Sequence, residues 1–201
     1  MSALERETKL VLTPEDYESI REAGRVLECR DQLNVYLHDP HRLREHPGYF
    51  RVRYQGGREP VATLKIPSGW KGDTREMVEV ERPLAELGPS LNPWPRRWVR
   101  VDTELPEGFR KHFQDLGITR LRRLGWMRNH RCVVELPPLG TVELDRTVLP
   151  DGSVLREVEI EDPADQVHGA LVEGIRELAP AAEVSRVGKF SRFLRAAGYL
   201  D

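Results

Sequence analysis

Residues 155–161 read Leu-Arg-Glu-Val-Glu-Ile-Glu. As a strand, this order puts Glu157, Glu159 and Glu161 on one face and Val158 and Ile160 on the other. The same two-sided alternation recurs along the chain, with one sign of charge to most strands. Tyr-Phe-Arg-Val-Arg-Tyr sets Arg51 and Arg53 against Phe50, Val52 and Tyr54. Val-Ala-Thr-Leu-Lys-Ile sets Lys65 opposite Ala62, Leu64 and Ile66, and Thr-Val-Glu-Leu-Asp sets Glu143 and Asp145 opposite Val142 and Leu144. Near the N-terminus, Glu5-Arg6-Glu7-Thr8-Lys9 turns Glu5, Glu7 and Lys9 to one face, and neither face is apolar until Leu10 and Leu12.

Solvent on one side of an antiparallel sheet explains any one of these strands. The set asks for more, because the signs are segregated instead of mixed. Carboxylates two residues apart on a strand lie roughly 7 Å from one another. They repel by about 0.6 kcal/mol in water and by about 2.4 kcal/mol at an effective dielectric near 20. Three in a row are therefore tolerable in the open and unfavourable in a cavity without cations. A site that holds both a polyanion and a divalent metal needs this segregation: carboxylates for the metal, Arg and Lys for phosphate oxygens. If the strands close into a barrel, the charged faces line its lumen and the apolar faces support helices outside.

The chain has 201 residues, enough for one domain (1–201) with a sizeable core. It is 32% charged, with 31 basic and 33 acidic residues, and this balance argues against a dedicated nucleic-acid binder. Cys29 and Cys132 have no metal-ligand spacing and are expected to be buried or idle thiols in a reducing compartment. No apolar stretch approaches spanning length and the N-terminus lacks a signal-peptide pattern, so the expected location is the cytoplasm with no membrane partner. No P-loop, HExxH or G-x-S-x-G motif occurs.

Thr13-Pro14-Glu15-Asp16 opens a helix expected over roughly 14–28, with Thr13 as its cap. Leu33–Leu37 reads as a short strand, Gly56-Gly57 as a hairpin turn, residues 67–73 as a loop and Arg75–Glu81 as a further strand. The Pro-rich run at 91–98 reads as a connector, and 107–117 as a short helix closed by Gly117. A second strand series begins near 120, a helix is expected over about 164–179, and residues 188–200 form a tail. The class is α+β, antiparallel.

These residues resemble the CYTH family, the triphosphate tunnel metalloenzymes. Glu5 to Lys9 is similar to its N-terminal E-x-E-x-K motif, and residues 32–54 to its tyrosine-aspartate-proline stretch followed by R-x-R. Thr63-Leu64-Lys65, Asn129-His130-Arg131, Val142 to Asp145, Glu157-Val158-Glu159 and Gly188-Lys189-Phe190 follow in family order. The family's aspartate-threonine-proline element departs here to His38-Asp39-Pro40. The resemblance implies an antiparallel eight-stranded β-barrel, a tunnel with a charged lumen and helices packed outside. It implies a small-molecule triphosphate substrate bound by Lys9, Arg51, Arg53, Lys65, Arg131 and Lys189. Mg²⁺ or Mn²⁺ would be held by Glu5, Glu7, Asp145, Glu157 and Glu159, with Glu5, Glu7 and Lys9 as catalytic residues.

Arg131 is preferred to Arg128, three residues away and on the opposite face of a regular strand. Glu79 and Glu81 fit the lumen and an exposed edge equally, whereas Glu143 and Glu161 read better as solvated. Trp70 could cover the tunnel mouth or pack locally. The leading expectation is a triphosphatase, with inorganic triphosphate as substrate and thiamine triphosphate and nucleoside triphosphates open. A class IV-type adenylate cyclase making cyclic AMP from ATP, and a non-catalytic polyphosphate- or nucleotide-binding module, are the alternatives.

Overall fold

The computed structural model describes residues 2–45, 48–87, 91, 94–161 and 165–201. Its strands are β1 (Ser2–Val11), β2 (Arg25–His38), β3 (Tyr49–Gln55), β4 (Val61–Lys71), β5 (Thr74–Pro83), β6 (Trp98–Arg100), β7 (Arg120–Leu136), β8 (Gly140–Val148), β9 (Val154–Glu161) and β10 (Glu183–Val184). Its helices are α1 (Pro14–Ala23), α2 (Val101–Glu104), α3 (Glu107–Asp115), α4 (Asp165–Leu178) and α5 (Lys189–Ala196). Hydrogen bonding orders the strands β10-β1-β5-β4-β3-β2-β7-β8-β9, and β1 also pairs with β9. Eight strands thereby close an antiparallel barrel with helices outside it, the α+β class expected from the sequence.

By internal contacts the chain gathers into two compact units. One comprises Met1–Leu4, Gln32–Ser68 and Met77–Met127; the other comprises Glu5–Asp31, Gly69–Glu76 and Arg128–Asp201.

In the first unit, Phe50 and Val52 of β3 and Ala62 and Leu64 of β4 enter one apolar cluster. The α3 side chains Phe109 and Phe113, one turn apart, meet Phe50 edge-on at centroid distances of 5.1 and 6.1 Å. Each fully buried Phe contributes about 1.5–3 kcal/mol, so the alternation of β3 and the helical spacing of α3 support one another. Gly117, at φ +66°, ends this segment as expected.

In the second unit, Leu10, Val134, Leu144, Val158 and Ile160 pack with Tyr17 and Ile20 of α1 and with Leu171 and Ile175 of α4. Thr13 caps α1, accepting from the Asp16 backbone N–H at 3.0 Å, with Pro14 at its first position. The helix stops at Ala23 and not near residue 28. Gly24 is extended, and a Cβ there would stand 2.3 Å from Val134 Cγ1 and 2.9 Å from the Glu135 carbonyl. The close approach to β7 fixes the exit, and Arg25 pairs with Glu135 at 2.7 Å. As a result β2 runs for 14 residues, far longer than the strand expected at 33–37.

The loop expected at 67–73 is mostly strand: β4 continues through Lys71, and Gly72, at φ +61°, makes a tight turn into β5. The tail holds a helix, α5, whose Phe190, Phe193 and Leu194 share one buried face. The connector at 91–98 falls in part outside the described residues, and Trp98 already belongs to β6. Cys29 and Cys132 are joined as a disulfide, which overturns the expectation of two buried or idle thiols, although Cys132 is buried. A sequence separation of 103 residues hid their pairing.

Candidate active site

In the second unit, strand register assembles the charged face. Lys9 of β1 lies beside Glu159 of β9, which lies beside Glu143 of β8. In the adjacent row, Glu157 pairs with Asp145, and Asp145 with Arg131 of β7. Glu7 pairs with Glu161. The alternate positions Leu10, Val158, Leu144 and Cys132 turn to the apolar cluster, so a single parity sorts charge from core in four strands. Lys189 joins the face from the first turn of α5, behind Gly188. A helix N-terminus disfavours a cation, so its charge depends on the carboxylates it meets.

The contacts form one network. Lys9 Nζ lies 2.8 Å from Glu159 Oε1 and 2.9 Å from Glu7 Oε2. Arg131 donates through Nε to Asp145 Oδ1 at 2.8 Å and through Nη2 to Asp145 Oδ2 at 2.6 Å and Glu159 Oε2 at 2.8 Å. Its Nη1 meets Glu143 and lies 3.9 Å from Glu161 Oε1. Asn129 donates to Asp145 Oδ1 at 2.8 Å and accepts from Thr147 at the same distance. Lys189 contacts Asp145 and Glu159 and lies 3.3 Å from Glu157 Oε2.

The electrostatics separate three buried acids. Burial alone would raise Asp145, but the Arg131 and Lys189 cations outweigh it and hold its pKa at about 2. Burial opposes ionisation of Glu159 as well, and Lys189, Lys9 and Arg131 hold it well below its ordinary range. Glu157 goes the other way: burial pushes it up, and Lys189 and Lys9 offset this only in part. Glu157 has no solvent exposure, and neither of its carboxylate oxygens accepts a hydrogen bond. The cations respond in the opposite sense to burial, with Lys9, Arg131 and Lys189 all raised by the carboxylates around them.

Two carboxylate groups have the closeness of a cation site: Glu5 with Glu7 and Glu161, and Glu143 with Glu159 and Glu161, each with one oxygen per residue within 4.8 Å of the others. Oxygen-only donor sets suit hard cations such as Mg²⁺ or Mn²⁺, and the Glu157 carboxylate, which accepts no hydrogen bond, fits one too. Glu143 and Glu161 were read from the sequence as solvated. Glu161 is 42% exposed at its side chain, yet both residues touch Arg131 and join these groups. The signal was present in the parity they share with Asp145 and Glu159.

Three further expected residues share a face in the first unit. Arg51 pairs across strands with Tyr36 and Thr63, and Arg53 with Asn34. Arg51 Nη2 lies 3.4 Å from Thr63 Oγ1, Arg53 Nε donates to Asn34 Oδ1 at 3.0 Å, and Lys65 Nζ lies 3.4 Å from Glu79 Oε2. Glu81 accepts from Thr63 at 2.8 Å, so Glu79 and Glu81 both meet this basic face. Burial disfavours the Arg51 charge, but Tyr49, Tyr36, Glu79 and Glu81 raise its pKa overall.

Burial and contacts place several other residues. Arg131 is 7% exposed and Arg128 is exposed, in keeping with the parity that preferred the former. His38, first residue of the element that departs from the family pattern, is buried at the end of β2, with Nδ1 2.9 Å from the Asp39 carbonyl. Thr8, on the other face of β1, is buried against His168 Nε2 at 2.9 Å and Thr74 Oγ1 at 3.1 Å. Trp70 lies under the Arg75 and Arg186 guanidinium groups, 5.9 and 5.6 Å from its ring centroid. Trp94 stacks on Tyr54 at 5.4 Å.

Fold and strand parity define the class: an antiparallel barrel with acid and base on one parity of its strands. A sequence model of the CYTH domain matches residues 3–194, and the chain belongs to that family. No curated protein sequence matches it significantly. Among solved structures it is similar to the Hippeastrum protein HpAC1, described as an adenylyl cyclase candidate with a dominant triphosphatase activity. The TM-score is 0.74 at 22% identity, over 95% of each chain. A Bacillus halodurans protein described as an adenylate cyclase candidate gives 0.66 at 18% identity, over 96% of this chain and 98% of that one. The PH1819 protein of Pyrococcus horikoshii gives 0.58 at 21%, over 95% and 98%. At these identities the likeness is one of fold. Among the described residues, no helix is long and apolar enough to cross a membrane.

Proposed function

We propose that this CYTH-domain protein is a metal-dependent phosphohydrolase acting on triphosphate compounds, with inorganic triphosphate as its substrate. The observation that carries the reading is the charge balance in the second unit. Glu5, Glu7, Glu143, Asp145, Glu157, Glu159 and Glu161 gather around Lys9, Arg131 and Lys189, an excess of four negative charges when all are ionised. Such a face repels a polyanion by itself, although its three cations suit phosphate oxygens. Two divalent cations supply the four positive charges that close the balance.

On this reading Glu5, Glu7, Asp145, Glu157 and Glu159 hold Mg²⁺ or Mn²⁺ directly or through water. When bound, the metal neutralises phosphate charge and makes a coordinated water more acidic. Lys9, Arg51, Arg53, Lys65, Arg131 and Lys189 bind the triphosphate. The Arg131 fork, held in plane by Asp145, presents fixed donors, and Lys9, between Glu7 and Glu159, keeps its proton and acts as a cation. Glu5 and Glu7 complete the catalytic group with Lys9. Phosphoryl transfer needs positioning and charge more than covalent help, so these roles are sufficient. We extend the same reading to one functional domain over 1–201 and to a cytoplasmic setting.

The test is a product assay over triphosphate, thiamine triphosphate, ATP and GTP with Mg²⁺ and with Mn²⁺. Orthophosphate release from inorganic triphosphate supports the proposal. Cyclic AMP from ATP would replace it with the cyclase reading, and tight triphosphate binding without phosphate release would replace it with a binding module. Glu157→Ala should mainly lower metal-dependent turnover and Arg53→Ala mainly weaken substrate capture; normal turnover in the first together with normal KM in the second would sink the site assignment.

A further inference from the structure

Four side chains form a two-by-two square on β2 and β7. Cys29 and Asp31 are two apart on β2 and share a face, as do His130 and Cys132 on β7. The square lies on the parity opposite to Arg131, with Cys132 buried in the apolar cluster and Cys29 exposed. Cys29 and Cys132 are disulfide-bonded, and His130 Nδ1 lies 2.8 Å from Asp31 Oδ1. The other ring nitrogen, Nε2, lies 3.4 Å from Cys132 Sγ. Ligand atoms of Cys29, His130 and Cys132 lie within 4.8 Å of one another.

We propose that this square is a redox-gated zinc site: once the disulfide is reduced, Cys29, Cys132 and His130 bind one Zn²⁺, with Asp31 orienting the imidazole. A disulfide staple requires neither the histidine nor the aspartate. A carboxylate on Nδ1 fixes the tautomer that leaves Nε2 free to ligate, the arrangement metal-binding histidines use. Zn–N near 2.0 Å and Zn–S near 2.3 Å at a tetrahedral angle put nitrogen and sulfur about 3.5 Å apart, against the 3.4 Å found between His130 and Cys132. Two thiolates and an imidazole select zinc over Mg²⁺ or Mn²⁺, so this site does not compete with the carboxylate face. Water takes the fourth position.

The chemistry balances with a dithiol as reductant. Its two thiols supply two electrons and two protons and become a disulfide, while the Cys29–Cys132 bond breaks to two thiols. Zn²⁺ then displaces both thiol protons to solvent as two Zn–S bonds form. Cys29 gives the exchange its entry, because Cys132 is covered.

Co²⁺ serves as the spectroscopic probe. Full-length protein is reduced with dithiothreitol, desalted without oxygen and titrated with Co²⁺, then with Zn²⁺. The expected result is an intense thiolate-to-cobalt charge-transfer band saturating at one equivalent and bleached by Zn²⁺, with no band from the oxidised protein. Cys29→Ser should abolish it, and His130→Asn and Asp31→Asn should each weaken binding by about tenfold or more. His130 and Asp31 are 43% and 93% exposed at their side chains, so these two variants keep the fold, checked by circular dichroism. Absence of the band in reduced protein, resistance of the disulfide to dithiothreitol, or unchanged binding in His130→Asn would overturn the proposal.

Discussion

Replacing Glu157 with glutamine removes a charge from a position without solvent exposure, where neither carboxylate oxygen accepts a hydrogen bond. Lys189 is its nearest cation at 3.3 Å and keeps Asp145 and Glu159 when Glu157 is neutralised. Burial raises the Glu157 carboxyl, so in metal-free protein its charge opposes folding at neutral pH. An unsatisfied buried polar group costs about 1–3 kcal/mol, more when charged, and the isosteric amide relieves the charged part of that cost. The variant without metal should therefore be more stable by about 2 kcal/mol, or about 4–8 °C in a chain of this length. Metal should reverse the order. A ligand at a hundredfold excess over its dissociation constant stabilises the folded state by about 2.7 kcal/mol. Mn²⁺ should give that increment to the wild type and much less to the variant. Turnover should fall in the variant for the same reason. The assay is thermal unfolding in EDTA and in Mn²⁺, followed by phosphate release. A variant less stable than wild type in EDTA, and equally stabilised by Mn²⁺, would refute the reasoning.

Arg53→Ala removes a half-buried guanidinium held by Asn34, and we expect a KM increase of about tenfold or more with kcat little changed, read from steady-state kinetics. Asp145, held at about 2, contributes stability that is full above about pH 5 and lost as pH falls toward 2. Its contribution is about 2–3 kcal/mol, so urea unfolding of Asp145→Asn should show a pH slope flatter by that amount over this interval. Gly24→Ala should destabilise by about 1–3 kcal/mol in urea, because its Cβ meets the Val134 side chain and the Glu135 backbone together.

What could be read in the sequence was parity. Arg51, Arg53, Lys65, Arg131, Asp145, Glu157 and Glu159 each alternate with a residue that enters a core cluster, so one period-two count separates them from Phe50, Leu64, Leu144 and Val158. Parity cannot rank residues within a face. Glu157, Glu159 and Glu161 are equivalent in an E-x-E-x-E string, yet Glu157 is fully buried, Glu159 shares three cations, and Glu161 sits at the strand end beside Glu7. Register against β1 and β8 makes that difference, and the β1 partners lie more than a hundred residues away in sequence.

The N-terminal half of β2 was illegible for a related reason. Val26 and Leu27 are exposed, so Arg25–Asp31 carries no apolar alternation, and the helical spacing of Leu27 with Ile20 pointed the wrong way. Its conformation is imposed from outside, by Gly24 closing on Val134 and by cross-strand partners on β7. Those partners include His130 and Cys132, which flank Arg131 in sequence and face away from it. The strand segment least readable from its own residues is therefore the one that carries Cys29 and Asp31. A local pattern reports a side chain's environment only when that environment is core or solvent, and here each half of the square meets the other half instead.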